Sequence, residues 1–169
     1  MPFATRSNAA RPAAILARLL CGLALLSLLA ACGTGGPRKR IFPPSASIQE
    51  LRVLDDGRWQ IDLRVQNFST VPMRFERVRA ELNVADEPAA SIDHGIADSI
   101  PPNSAEVVRV ELSPSAVAAA AVQSALESRR GIGYRLDGQL STSEPKTRDD
   151  RFEFSGALTP MPGLDGVLR

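Results

Sequence analysis

Apolar and polar side chains alternate without a break from residue 58 to residue 66. Trp59, Ile61, Leu63 and Val65 take every second position, and charged or amide side chains take the others. A period of two places all the apolar side chains on one face of an extended strand. The segment therefore predicts a β-strand with one buried and one exposed face.

A second strand is predicted just before this one. It contains Ile48 and residues 51–54, and it is followed by Asp55, Asp56 and Gly57. An Asp-Gly turn between two apolar runs is a strong signal for a β-hairpin. The two strands are therefore expected to pair in antiparallel fashion.

Five further strands follow along the chain. Residues 74–84 change the phase of their apolar positions near Glu76 and Arg77, which predicts a β-bulge. Residues 91–100 form a weaker strand, interrupted by Gly95. The last three strands are marked by alternating residues, which are Val108, Val110 and Leu112; Tyr134, Leu136, Gly138 and Leu140; and Phe152, Phe154, Gly156 and Leu158.

About seven short strands with frequent turns predict an all-β protein, an antiparallel β-sandwich of the immunoglobulin or fibronectin type III kind. One residue set is in phase to form a shared core: Trp59, Ile61, Leu63, Val65, Leu82, Val110, Leu136 and Phe154. Tyr134 is either a simple core tyrosine or one whose hydroxyl bonds to nearby backbone.

One short helix is predicted between the fifth and sixth strands. Ser113 suits the N-cap, Pro114 suits the first helical position, and Gly131 can end the helix after an Ala-rich run to Arg130. The helix is expected to connect the strands and cover one end or edge of the sheets. Its apolar face is expected to comprise Val117, Ala121, Val122, Ala125 and Leu126.

The first 31 residues have the layout of a secretory signal. Arg6, Arg11 and Arg18 are present without any acidic residue, and an apolar run then extends from residue 19 to residue 31. This run is shorter than the roughly 20 residues that a membrane-spanning helix needs. We therefore predict a signal peptide over residues 1–31.

The end of this segment resembles a bacterial lipobox. Leu29, Ala30 and Ala31 precede Cys32. The resemblance implies cleavage between Ala31 and Cys32, lipid transfer to the Cys32 sulfur and acylation of the new amino group. The alternatives are an ordinary secretory signal next to a cysteine, or an uncleaved anchor helix. Lipidation would make membrane lipid the first partner of the protein, and Gly33 points to the outer membrane, facing the periplasm.

Residues 32–44 are interpreted as the lipidated N-terminus and a flexible tether, because Gly, Pro and charge replace the apolar period. The basic triplet Arg38, Lys39 and Arg40 either meets anionic headgroups or belongs to a solvated spacer. The sandwich is expected to span residues 45–159, followed by a C-terminal tail over residues 160–169.

Little in the chain suggests chemistry. Twenty basic residues face 19 acidic ones, which does not fit a nucleic-acid-binding protein. The single histidine, His94, is expected on the surface rather than as a base, and no cofactor, catalytic group or metal site is predicted. Three sets of possible metal ligands lack a recognised spacing: Asp93, His94 and Asp98; Asp55 and Asp56; and Asp149 and Asp150.

The order of several short motifs resembles the late embryogenesis abundant type 2 family and its water-stress and hypersensitive-response (WHy) domain. The matching segments are residues 65–67, 71–73, 100–104, 134–140 and 152–156. They contain the motif residues Asn67, Pro72, Pro101, Tyr134, Gly138 and Gly156. Family members usually carry Pro after the asparagine, whereas Phe68 stands here, although Asn67 can still close an Asx turn.

Two functions follow from these patterns. The resemblance implies a non-enzymatic sandwich linked to desiccation or stress tolerance, here displayed on the bacterial cell envelope. The alternative is a structural adaptor that binds an envelope protein of a transport or assembly complex through an edge strand or the helix.

Overall fold

The structure is a computed structural model that describes residues 38–169. The predicted signal peptide, its cleavage site and Cys32 lie outside the described residues. In chain order the elements are β1 (Ser45–Val53), β2 (Trp59–Asn67), β3 (Met73–Val84), β4 (Glu87–Ile100), β5 (Ser104–Leu112), α1 (Ala116–Ser128), β6 (Ile132–Glu144), β7 (Arg148–Leu158) and β8 (Val167–Leu168).

The strands form two four-stranded antiparallel sheets. The first sheet has the order β5-β2-β1-β8, and the second has the order β4-β3-β6-β7. The predicted antiparallel sandwich is therefore confirmed, with its helix between the fifth and sixth strands. An eighth strand joins the seven that the sequence predicts.

Register shifts occur in three of the strand pairs. The register of β3 shifts between Phe75 and Arg77 against both of its neighbours, as the phase change predicts. Further shifts near both ends of β3, and one between Ile48 and Glu50 in β1, are not predicted. The fourth strand begins four residues earlier than expected and runs through Gly95 without interruption.

The core lies between the two sheets and is formed by the in-phase residues of each strand. Seven of the eight predicted core residues are buried, and the exception is Phe154, which is 36% exposed. Phe154 has the inward phase, but β7 is the edge strand of its sheet and leaves one side of the ring open. The ring stacks on Tyr134 instead, with centroids 6.1 Å apart.

The helix begins later than predicted. Its N-cap is Ser115 rather than Ser113, and the Ser115 hydroxyl accepts a hydrogen bond from the Ala118 N–H at 3.3 Å. Ser115 is itself held on β4, because its N–H donates to the Ala89 carbonyl and its hydroxyl donates to the Pro88 carbonyl. These contacts with a distant strand fix where the helix starts.

The helix also ends differently, and one residue of its predicted face is exposed. Arg129, with φ of 53°, takes the left-handed position expected of Gly131. Val122 and Ala125 are buried, and Ala121 and Leu126 are partly buried against the core, as predicted. Val117 is instead 59% exposed, and Ala118 is buried in its place.

The last ten residues belong to the sandwich rather than to a separate tail. Leu168 pairs with Leu51 and Val167 pairs with Arg52, and the side chains of β8 are buried. Thr159 and Arg169 exchange backbone hydrogen bonds. This pairing covers the part of the β1 edge around Leu51 and Arg52.

Arg169, which directly follows β8, forms an ion pair with a buried carboxylate. The Glu50 side chain is only 8% exposed, and it accepts hydrogen bonds from Arg169 Nε at 2.8 Å and from Arg52 at 2.9 Å. The hydrogen bond from Arg169, and secondarily the one from Arg52, holds the pKa of Glu50 below its ordinary value despite burial. Asp62, paired to Glu50 across the strands, has its pKa lowered in the same way by Arg109.

A carboxylate whose pKa is depressed in the folded state stabilises the fold above its unfolded pKa, and this stabilisation is lost as the pH falls through the folded pKa. We expect Glu50→Gln to lower the free energy of unfolding by about 1 to 2 kcal/mol at neutral pH. The difference in unfolding free energy between this variant and the parent should shrink as the pH falls below about 4. Urea denaturation of Glu50→Gln and of the exposed control Glu106→Gln tests this, and equal stability of the two variants at neutral pH would contradict it.

Candidate functional surface

Asn67 lies at the end of β2 and is completely buried. Its Nδ2 lies within hydrogen-bond distance of three carbonyl oxygens, those of Val71 at 2.9 Å, Ile100 at 3.0 Å and Pro101 at 3.0 Å. The amide has two N–H donors, so one of them is shared between two of these carbonyls. The carbonyls belong to the loop that leads into β3 and to the end of β4. The amide therefore ties β2, in the first sheet, to the start of β3 and the end of β4 in the second sheet.

The other end of the Asn67 amide closes a local turn. Asn67 Oδ1 accepts a hydrogen bond from the Ser69 N–H at 2.8 Å, which confirms the predicted Asx turn. Phe68, at the position where the family pattern has proline, points outward and is 43% exposed. Replacing the proline therefore leaves the turn intact and adds an aromatic side chain to the surface.

The two motif prolines flank the same junction. Pro72 precedes the first residue of β3, and Pro101 follows the last residue of β4. Both side chains are exposed. Because proline lacks a backbone N–H, it suits positions where a sheet ladder begins or ends. These residues define the ends of strands and present no reactive group.

Tyr134 joins the two sheets through its hydroxyl. The ring is buried, and the hydroxyl accepts a hydrogen bond from the Ile48 N–H at 3.0 Å, with the Ile48 carbonyl at 3.4 Å. Ile48 lies at the unpredicted bulge of β1, where the register with β2 shifts. Burial raises the pKa of Tyr134. Both interpretations of Tyr134 thus hold in part, since it is a core residue whose hydroxyl bonds backbone, although 86 residues away in the chain.

The two motif glycines allow close packing. A Cβ at Gly138 would lie 2.2 Å from the Arg79 carbonyl oxygen and 2.6 Å from the Ala80 Cβ. A Cβ at Gly156 would lie 2.9 Å from the Tyr134 ring. The six motif residues therefore all shape or join the sheets, and none of them forms a reaction centre.

The acidic residues and the histidine considered as metal ligands are spread over both ends and the outer faces of the sandwich. Asp93 pairs with Arg77, which lowers the pKa of Asp93, and Asp56 pairs with Arg58 at 2.7 Å, which lowers the pKa of Asp56. Asp149 accepts a hydrogen bond from Ser141 at 2.6 Å. Among residues 38–169, no group of three His, Cys, Asp or Glu side chains is placed to hold a metal ion.

The outer faces of both sheets carry alternating charges. On the second sheet Arg79 lies 3.6 Å from Asp93, and Arg135 lies 3.9 Å from Glu153. On the first sheet Arg109 Nε lies 2.8 Å from Asp62. The two pairs on the second sheet are exposed and contribute little to stability, whereas the Asp62 side chain is only 14% exposed. Together these charges make a strongly hydrated surface with balanced charge.

Two adjoining clefts, of about 440 and 430 Å³, lie beside α1 and the loop that precedes β8. They share Leu126, Asp165 and Gly166 in their linings. The sequence gives no sign of them, because the loop and the helix meet only after folding. Their linings contain no paired acid and base and no nucleophile with a base, so no reaction is assigned to them.

Comparisons with known proteins place these features in context. A profile of the family described as late embryogenesis abundant protein matches residues 62–156. No curated protein matches the chain. In the part of the chain that the structure describes, no helix is long and apolar enough to cross a membrane.

Three solved structures resemble the chain at low sequence identity. One is the solution structure of an Arabidopsis thaliana protein, with 11% identity, a TM-score of 0.47 and coverage of 78% of this chain and 87% of that one. Another is the solution structure of a putative late embryogenesis abundant protein, with 15% identity, a TM-score of 0.41 and coverage of 95% and 96%. The third is the crystal structure of a protein from Archaeoglobus fulgidus, with 12% identity, a TM-score of 0.42 and coverage of 72% and 98%.

The packing role of Gly138 can be tested against a second glycine in the same strand. A Cβ at Gly133 would meet nothing closer than the Gly156 carbonyl oxygen at 4.0 Å. Gly138→Ala should therefore lower the free energy of unfolding by at least about 2 kcal/mol, because β3 backbone must move. Gly133→Ala should stay within about 0.5 kcal/mol of the parent. Chemical denaturation measures both, and similar losses would contradict the close-packing argument.

Proposed function

Because the chain belongs to the late embryogenesis abundant protein family, we propose that it is a non-enzymatic, lipid-anchored sandwich that protects the bacterial cell envelope during desiccation or related stress. The family match extends from the middle of β2 to the end of the core in β7. It supports a stress-related role for the sandwich itself.

One observation carries the proposal, namely that the family motif residues are all used to build the fold. Asn67 and Tyr134 join the two sheets, and Gly138 and Gly156 let their neighbours approach. Contact with other molecules is therefore left to the surface of the sandwich, most of which is hydrated and balanced in charge. A protein of this kind acts through its folded surface rather than through a reactive side chain.

The proposed anchor is lipid on Cys32, after cleavage that follows Ala31. The basic residues, the apolar run and the lipobox-like end occur in the order that a lipoprotein signal requires. Two or three acyl chains would hold the protein on the membrane essentially permanently, whereas one alone binds only marginally. We place the sandwich in the periplasm, on the outer membrane.

A second candidate function is that of an envelope adaptor. Strand β5 is an edge strand of the first sheet, and Val107 on its outer side is 45% exposed. An exposed edge of regular backbone can accept a strand from another protein. This observation favours binding to one protein partner over shielding, by which we mean the protection of many different proteins without a specific partner.

Two experiments separate these functions. In the first, the purified full chain is dried together with a desiccation-sensitive enzyme, and recovered enzyme activity is measured. Shielding predicts protection without any partner. In the second, crosslinking in living cells is followed by mass spectrometry. The adaptor function predicts one partner recovered in stoichiometric amount, and neither protection nor a partner would contradict both functions.

The proposed function requires the anchor and the folded domain, and it does not require any single exposed polar side chain. We expect Cys32→Ala and Leu63→Asp to abolish rescue of a deletion strain after drying. A charge forced into the core costs several kcal/mol against a total stability of about 5 to 15 kcal/mol. His94→Ala, Asp93→Ala and Asp98→Ala should rescue fully.

Mass spectrometry of the membrane fraction completes this test. The parent should give an acylated peptide that begins at Cys32. An unmodified Cys32 in a chain that retains residues 1–31 would refute the anchor. Loss of rescue in His94→Ala, with the protein folded and membrane-bound, would instead reveal an overlooked reactive site.

A further inference from the structure

Four segments come together at one end of the sandwich, and we call this end the tether end. They are residues 39–44, 68–72, 101–103 and 145–147. Strand pairing brings them together, because Ser45 pairs with Gln66, Met73 pairs with Ile100, and Arg74 pairs with Glu144. The helix and both clefts lie at the opposite end.

The tether end exposes apolar side chains. Ile41 is 42% exposed, Phe42 is 44% exposed and Phe68 is 43% exposed. Elsewhere on residues 38–169 the large exposed apolar side chains are scattered over β5, α1, β7 and the loop before β8. Single exposed apolar residues are ordinary, but a group with two aromatic rings at one end marks a contact surface.

Hydrogen bonds hold this group in place. The Phe42 N–H donates to the Ser69 hydroxyl at 2.9 Å, and the Thr70 N–H donates to the Arg40 carbonyl at 2.9 Å. The backbone around residues 40–42 therefore runs beside the turn that carries Phe68. This differs from the flexible tether that the sequence predicts up to residue 44.

The charge at this end is mainly positive. The four segments contain Lys39, Arg40 and Lys146, and they contain no acidic residue. Glu144, the last residue of β6, borders them directly. Exposed aromatic rings insert favourably at the headgroup level of a bilayer, and basic side chains are attracted to anionic lipids. The combination at this end therefore fits the surface of an anionic bilayer.

We propose that the tether end is a membrane-docking surface that rests on anionic phospholipid headgroups. The inference rests on the proposed lipid anchor, because the acyl chains of Cys32 would lie in the same bilayer. Docking through the tether end would direct the clefts and the helix away from the membrane. It would also give the anchored domain a defined orientation.

The length of the tether suits this arrangement. Ile41 is nine residues after Cys32 in the chain, so their distance is at most about 32 Å in any backbone conformation. The anchor therefore keeps the tether end close to the headgroups, and even a weak second contact becomes an intramolecular one.

The docking is tested on the processed, acylated protein that begins at Cys32, in vesicles of phosphatidylcholine with phosphatidylglycerol. A fluorophore is attached either at Pro102→Cys, at the tether end, or at Asp55→Cys, at the opposite end. Quenching by a nitroxide-labelled phospholipid reports proximity to the membrane. We expect several-fold stronger quenching at position 102 than at position 55, and we call this difference the contrast. On vesicles of phosphatidylcholine alone the contrast should be weaker.

Matched variants separate the apolar and basic contributions. The pair Phe42→Ser and Phe68→Ser should abolish the contrast, whereas Val107→Ser with Val117→Ser, exposed elsewhere, should retain it. Lys39→Gln and Arg40→Gln should each lower the ratio of docked to undocked protein by about fivefold. This factor corresponds to the attraction of about 1 kcal/mol between one basic residue and an anionic surface.

The possible outcomes are distinct. Equal quenching at positions 102 and 55 in acylated protein would overturn the docking and leave the anchor intact. Equal loss in the two serine pairs would overturn the role of the aromatic rings. If mass spectrometry finds Cys32 without an acyl group, both the anchor and the docking geometry are overturned. Circular dichroism confirms that each variant remains folded.

Discussion

The side-chain amide of Asn67 is the interaction on which the arrangement of the two sheets depends. It is fully buried, and the two N–H donors of its Nδ2 lie among three backbone carbonyl groups, where β2, the start of β3 and the end of β4 meet. Buried carbonyls without donors cost about 1 to 3 kcal/mol each, so an apolar residue could not replace it cheaply. The strands that begin and end around Asn67 are therefore held at one junction.

The hydroxyl of Tyr134 complements this junction in the middle of the sandwich. It accepts a hydrogen bond from the Ile48 N–H, beside the register shift of β1. One polar contact thus fixes an end of the sandwich, and the other fixes the spacing of its sheets. This division explains why a chain with little chemistry in its sequence still keeps particular polar residues in its core.

Alternation and turn residues were enough to predict the strands, the β3 bulge and most of the core, because these depend on neighbours along the chain. Contacts between distant segments were not predictable. The helix start depends on Ser115 meeting Pro88, and strand β8 is too short for a period. Of the Asn67 contacts, only the local Asx turn could be foreseen, since the other partners lie up to 34 residues away.

The central claim, that the Asn67 amide joins the sheets, is tested most directly by Asn67→Asp. The substitution keeps the shape but puts a carboxylate oxygen where Nδ2 faces three carbonyl oxygens. Asn83→Asp, at a half-buried position on β3, makes the same chemical change without such partners. By urea denaturation at neutral pH, Asn67→Asp should lose at least about 2 kcal/mol of unfolding free energy. A loss below about 0.5 kcal/mol, equal to that of Asn83→Asp, would contradict the claim.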